Sequence, residues 1–211
     1  AMMMTLPGTP NPSTSYTLFD RLRHEATRRD AMDQFVERYT LFIISRIRRT
    51  APQFQQHDIA DIAQNIYSKV WDGLIERNFS LEKRNFRKWF AVVIKNEVLQ
   101  YLRQRKAKHI GKGDDGLSSV AIQDESFDKH TIRELELYEL QRALTQVSQE
   151  VREIVWQAFH LSVYGETDSD GQHQKLSATA IGSRLNISAD RMHAYKFKVL
   201  QRLRELMADS L

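Results

Sequence analysis

Seven histidines are scattered through the 211 residues, and only His57-Asp58, with Asp61 three residues on, hints at a metal site. A catalytic metal keeps about three protein ligands around one ion. No further histidine stands at ligand spacing, and Asp58 serves equally well as part of a helix start. The chain carries no P-loop, nucleophile elbow or Gly-rich phosphate cradle. It has no cysteine, which removes disulfides and thiolate ligands and fits a reducing, cytoplasmic setting. No enzyme, no metal and no cofactor are therefore expected. The chemistry that remains belongs to cations, amides and outward-facing aromatics, groups that bind polyanions and proteins.

The cations are sorted along the chain. Net charge is only +4, with a pI near 9.3, yet residues 83–112 hold ten Lys and Arg against one acid, Glu97. The next stretch reverses sign through Asp114, Asp115, Asp124, Glu125 and Asp128, and the tail is basic again through Arg184, Arg191, Lys196, Lys198, Arg202 and Arg204. Two cationic surfaces on an anionic tether point to two contacts with polyanion. In the first, Lys88, Lys95, Arg103 and Lys106 recur at helical spacing, with Asn96 and Gln100 nearby. Cations so spaced neutralise phosphates along a strand. Interleaved Trp89 and Phe90 could stack on unpaired bases at roughly 1–3 kcal/mol each, but core packing is the expectation for both.

The second cationic stretch, "LSATAIGSRLNISADRMHAYKFKVLQRLREL" (176–206), has the layout of a helix-turn-helix. A short helix around Ala178–Leu185 stops at "NIS", and a longer one follows. Ser188 is a natural N-cap, Asp190 suits the positive helix end, and Ile187 with Met192 makes a hydrophobic staple. Met192, Val199, Leu203 and Leu206 form the inward stripe, leaving Arg191, Ala194, Phe197, Lys198 and Gln201 on the far side beside Asp190. That outward set suits a major groove: Arg191, Lys198 and Gln201 for base edges or phosphates, Ala194 for close approach. Phe197 either touches thymine methyls or packs on a neighbouring helix.

A third surface is of another kind. In "DIADIAQNIYSKVWDGL" (58–74) the residues Ile59, Ile62, Ile66, Val70 and Leu74 mark one buried face. The opposite face carries Asp61, Gln64, Asn65 and Ser68, and Trp71 lands among them. An aromatic within a polar surround has the makeup of a protein-interface anchor, unless another part of the chain covers it.

The elements that must position these residues are helices. Helical periodicity covers about 16–28, 31–49, 57–76, 86–107, 130–145, 148–163, 177–185 and 189–208, and no convincing strand appears. The expected fold is all-α, two small helical domains joined by a flexible linker, the C-terminal one a helix-turn-helix. Residues 1–14, rich in Pro, Ser and Thr, form a disordered N-terminal segment. A helical domain follows at 15–108, then an acidic flexible linker at 109–129 and the helix-turn-helix domain at 130–211. A polar insertion, "YGETDSDGQHQK" (164–175), precedes the helix-turn-helix and is given no function. The longest apolar runs fall far short of the roughly 20 residues that span a bilayer, so no membrane insertion is expected.

"DIAQNIYSKVW", then "FRKWFAVVIKNEVLQYLRQRKAK", then the final helix-turn-helix resembles the extracytoplasmic-function group of bacterial RNA polymerase sigma factors. The likeness runs over nearly all of residues 16–208, with three separated motifs in order. The family pattern Asp-Leu-x-Gln-Glu-x-Phe-x-x-x-Trp is matched by Asp61, Ile62, Gln64, Tyr67 and Trp71. The resemblance implies that this helix docks on core RNA polymerase, which makes Asp61, Gln64, Asn65, Ser68 and Trp71 the binding set. The second motif is carried by Phe86, Trp89, Phe90, Lys95 and Asn96, with Ile94 displaced by one position. It implies a surface that opens the −10 element of promoter DNA. The preceding loop, 75–85, would pocket a flipped base through Phe79, Ser80, Arg84 and Asn85, while Lys88, Lys95, Asn96, Gln100, Arg103 and Lys106 hold the strand. The third motif implies reading of the −35 element by Arg191, Ala194, Phe197, Lys198 and Gln201. An anti-sigma protein is a further partner that the resemblance brings into view. The chain departs from the family at Asn65, usually an acid, at Gln100, usually Asp, and at Asp190–Tyr195, usually Gly-Thr-Val-x-Ser-Arg. The −35 preference of relatives therefore does not transfer. The competing expectation is a self-sufficient helix-turn-helix regulator that binds an operator without polymerase.

Overall fold

The computed structural model describes residues 17–76, 83–109, 125–167 and 173–209. These are helical almost throughout, in agreement with the all-α expectation. The chain divides into two compact units with the boundary between Asp124 and Glu125.

In the first unit, helix α1 (Leu18–Arg23) and the long α2 (Glu25–Thr50) meet at His24, whose backbone is extended. The sequence pattern put this break near residue 30. It comes earlier because side chains of the next helix serve the end of α1: Thr27 donates to the Arg21 carbonyl at 2.8 Å, and Arg28 donates to those of Leu22 and Arg23 at 3.1 and 3.2 Å. A helix end whose last carbonyls are satisfied this way can stop in mid-pattern. Thr17 caps the other end, accepting from the Asp20 amide.

Helix α3 (Gln56–Glu76) and helix α4 (Lys83–His109) complete the unit. The stripe of Ile59, Ile62, Ile66, Val70 and Leu74 is buried in full, as its spacing predicts. Against it stand aromatics from three other helices. Phe35 meets Phe86 and Phe90 edge-on, with centroids 6.5 and 5.4 Å apart, and Phe19 meets Phe86 at 5.3 Å. Edge-to-face pairs add about 0.5–1.5 kcal/mol each beyond their burial, so this cluster ties α4 to α1 and α2. Tyr67 shares a 2.6 Å hydrogen bond with Thr40, joining α3 to α2. Helix α4 begins three residues before the predicted start, which takes Arg84 and Asn85 out of the expected loop and into its first turn. Lys83 and Arg84 are good helix formers, and Phe86 just behind them is anchored in the core.

The second unit holds α5 (Glu125–Glu150), α6 (Glu153–Tyr164), α7 (Ala178–Leu185) and α8 (Ala189–Asp209). Helix α5 starts inside the stretch expected to be linker, so the helical unit gains 125–129. Ala143 and Val147 of α5, Val155 and Phe159 of α6, and Val199 and Leu203 of α8 form one cluster. Ala158, Ile181 and Met192 form a second, with Ile187 packed against it. Arg202 closes the α5–α8 contact by a two-pronged ion pair with Glu150, at 2.7 and 3.1 Å, and also reaches Glu205 at 3.0 Å. The expectation of no strand is corrected in one detail: β1 (Glu166–Thr167) pairs antiparallel with β2 (His173–Gln174) inside the polar insertion. Gly165, at φ 68°, opens this ladder, and Glu166 pairs with Arg184 of α7. No sequence periodicity announces so short a ladder. Among the described residues no helix is long and apolar enough to cross a membrane.

Candidate partner and nucleic-acid interfaces

The two faces of α3 differ as the sequence requires. Asp61, Gln64, Asn65 and Ser68 are all exposed, and Trp71 is half-buried on the same side, with Ile75 one turn beyond at 50% exposure. Gln64, Ser68, Trp71 and Ile75 follow one another at helical steps, so a polar strip ends in an indole and an isoleucine that water still reaches. The indole is not sealed under the chain's own side chains. Gly73, the next residue but one, faces the other way: a Cβ there would come within 2.5 Å of the Trp89 ring. Trp89 therefore lies over α3 where a side chain is missing, and its ring also meets Phe86 at 5.4 Å. Phe90 is fully buried. The core reading holds for Phe90, and Trp89 joins the two helices.

Asp61, Gln64 and Asn65 line one side of an open polar cleft of about 660 Å³, with Tyr101, Gln104 and Arg105 of α4 on the other. Asp58 forms its floor and is 4% exposed. One carboxylate oxygen accepts from the Tyr101 hydroxyl at 2.5 Å; the other accepts from the Gln55 amide at 2.8 Å and from Arg105 at 3.1 Å. The Gln55 bond is the reaching-back half of a capping box, so Asp58 does begin the helix. It also staples α3 to α4. Burial pushes its pKa up, but the Tyr101 and Gln55 hydrogen bonds, with the charges of His57 and Arg105, outweigh this and hold it below the usual carboxylate value. The same bond, with burial, pushes the Tyr101 hydroxyl up to about 12. Asp58 thus joins two helices, and among the described residues no group of three or more His, Asp and Glu could hold a metal ion. The Tyr101 and Arg105 contacts were missed in the sequence, because partners 43 and 47 residues apart leave no local signal.

On α4 the side opposite the phenylalanines presents Lys88, Arg103 and Lys106, all exposed, with Lys95 half-buried; Asn96 and Gln100, also exposed, lie along its edge toward Phe86. At 3.6 residues per turn Lys88, Lys95, Arg103 and Lys106 fall within about 80° of arc. The structure thus brings the four predicted cations onto one face. Phe79 and Ser80 lie outside the described residues, as do the acids of the expected linker from Asp114 to Asp124; for Arg84 and Asn85 only the helical backbone is described.

The third surface is built by α7, a tight turn and α8. Ser177 caps α7 through the Ala180 amide at 3.1 Å, and Ser188 caps α8 through the Arg191 amide at 3.2 Å. Between them Asn186 takes the left-handed conformation at φ 53°, and the Ile187 amide returns to the Gly182 carbonyl at 2.9 Å. This six-to-one closure ends α7 and sets the angle at which α8 departs. Gly182 is required there, since a Cβ would sit 2.6 Å from the Ile187 carbonyl oxygen. Sequence reading overlooked Gly182; a glycine inside a helical pattern just ahead of a turn was the available signal. Met192, Val199 and Leu203 are buried, while Arg191, Ala194, Phe197, Lys198 and Gln201 all face solvent. Phe197 is 62% exposed, which removes the alternative that it packs on a neighbouring helix.

Compared with protein-family models, curated proteins and solved structures, the chain matches none.

Proposed function

We propose that this chain is a dissociable promoter-specificity subunit of bacterial RNA polymerase, a sigma factor of the extracytoplasmic-function kind acting in the cytoplasm. In this reading α3 anchors to core polymerase, and the α7–α8 helix-turn-helix docks at the −35 element. The cationic face of α4, with the stretch before it, captures the melted −10 strand. Melting needs no hydrolysis: unstacking a base costs a few kcal/mol, offset by pocket binding, stacking and phosphate contacts. The observation that carries the proposal is the division of α3. Its aliphatic side is consumed by its own core, while Trp71 and Ile75 remain in reach of solvent amid Asp61, Gln64, Asn65 and Ser68. A regulator acting alone on an operator would need a surface of this kind only to pair with a second copy of itself.

Run-off transcription with purified core polymerase on a promoter library tests this. The proposal expects discrete start sites that appear only when the chain is added. Gel shifts with the chain alone discriminate the competing class: operator-strength binding without polymerase, together with no run-off product, would establish the self-sufficient regulator instead.

A further inference from the structure

Phe197 sits at the centre of the solvent face of α8, on the side away from Val199 and Met192. Ala194 precedes it by one turn and Gln201 follows it by one, and all three are exposed. A single exposed apolar side chain is ordinary on a protein surface, and one at the centre of a helix face could equally be a protein contact. The charges around it argue otherwise. Arg191 and Lys198, both exposed, lie to one side of it and, among the described residues, neither makes an ion pair. Two other cations of these helices are compensated, Arg202 by Glu150 and Glu205 and Arg184 of α7 by Glu166. Arg191 and Lys198 to one side of the ring and Arg204 two turns on along its own face thus carry positive charge with no ion pair among the described residues, against one acid, Asp190, at the start of the helix, and such a face suits a polyanion.

A polyanion offers an aromatic ring two kinds of apolar surface: the faces of unstacked bases and the 5-methyl group of thymine in the major groove. Base faces are closed off in a duplex, and a capped helix that follows a tight turn is the geometry that enters a major groove intact. Ala194, lacking bulk, lets the helix approach closely enough for the ring to reach the base edges. We infer that Phe197 is a specificity-determining residue whose ring packs on the 5-methyl group of a thymine in the recognised duplex. The inference rests on the proposed −35 reading and names the chemical group read there.

The test replaces thymine by deoxyuridine, one position at a time, across the upstream element of a promoter selected with the full chain and core polymerase. Binding should weaken by roughly four-fold at one position, the worth of one buried methyl group. In Phe197→Ala the thymine and deoxyuridine duplexes should bind equally at that position, while Phe197→Leu should keep most of the preference. The salt dependence should be unchanged in Phe197→Ala, which removes no charge, whereas Lys198→Ala should flatten the slope by about one unit. A scan that is flat at every thymine, on DNA that the holoenzyme does bind, overturns the inference and leaves the promoter reading standing. A chain that selects no duplex overturns both. Since Phe197 is exposed, its removal should leave the melting curve unchanged, so lost discrimination would not reflect lost fold.

Discussion

Asp58 is where a single residue decides most. It is buried, accepts three hydrogen bonds and joins helices that lie far apart in sequence. Replacing it with Asn should lower the stability of the chain by roughly 1–3 kcal/mol, because one acceptor oxygen becomes an NH2 donor, so either Tyr101 or Gln55 and Arg105 lose their acceptor, and the charge facing Arg105 is gone. The pH dependence has two edges. Asp58 is held below its usual range, so its contribution is complete above about pH 4 and lost as pH falls through the folded-state value. Tyr101 is raised, so its contribution is complete below the ordinary tyrosine range and lost as pH rises through about 12. A tyrosinate absorbance titration should find one tyrosine near 12 in the native chain and none there in Asp58→Asn. The helix start at Asp58 was legible from sequence. Its second role was not, since nothing local in Tyr101 or Arg105 marks them as partners of a residue two helices' length away.

At the scale of elements, legibility followed the range of the forces. The stripes of α3 and α8 were read correctly because a buried face repeats every three or four residues, and that repeat is written locally. The Ser188 cap was read for the same reason. The break at His24 was misplaced because it depends on Thr27 and Arg28 reaching back to α1 carbonyls, a choice that periodicity does not encode. The β1–β2 ladder and its Glu166–Arg184 tie escaped notice because each needs residues brought together by the surrounding fold. The turn between α7 and α8 is the element most exposed to a small change. Gly182→Ala forces a Cβ against the Ile187 carbonyl, a backbone atom that cannot swing aside. The expected cost is about 1–3 kcal/mol, seen as a lower melting temperature, with duplex binding weakened as α8 is re-aimed. An unchanged melting curve and unchanged DNA affinity would show that the turn is not held as described.

Across the whole molecule, charge is segregated: one cationic face on α4 and another on α8, each backed by its own apolar packing. If both bind nucleic acid, affinity should fall steeply with salt. For about six neutralised phosphates the log–log slope on duplex promoter should be near −5, and shallower on single strands. A slope near −1 would mean that one cluster or both are ordinary solvated faces. The separation into two helical units and the sign of each surface could be read from composition along the chain, while the fate of the residue 71 indole required coordinates. That indole carries the account, so the most direct test is the affinity of the purified chain for core RNA polymerase, measured for wild type and Trp71→Ala with melting curves alongside. The account predicts tight binding by the wild type, binding weaker by about thirty-fold or more in the variant, and superimposable melting. A wild-type chain that core polymerase ignores, or a variant that binds equally well, would contradict it.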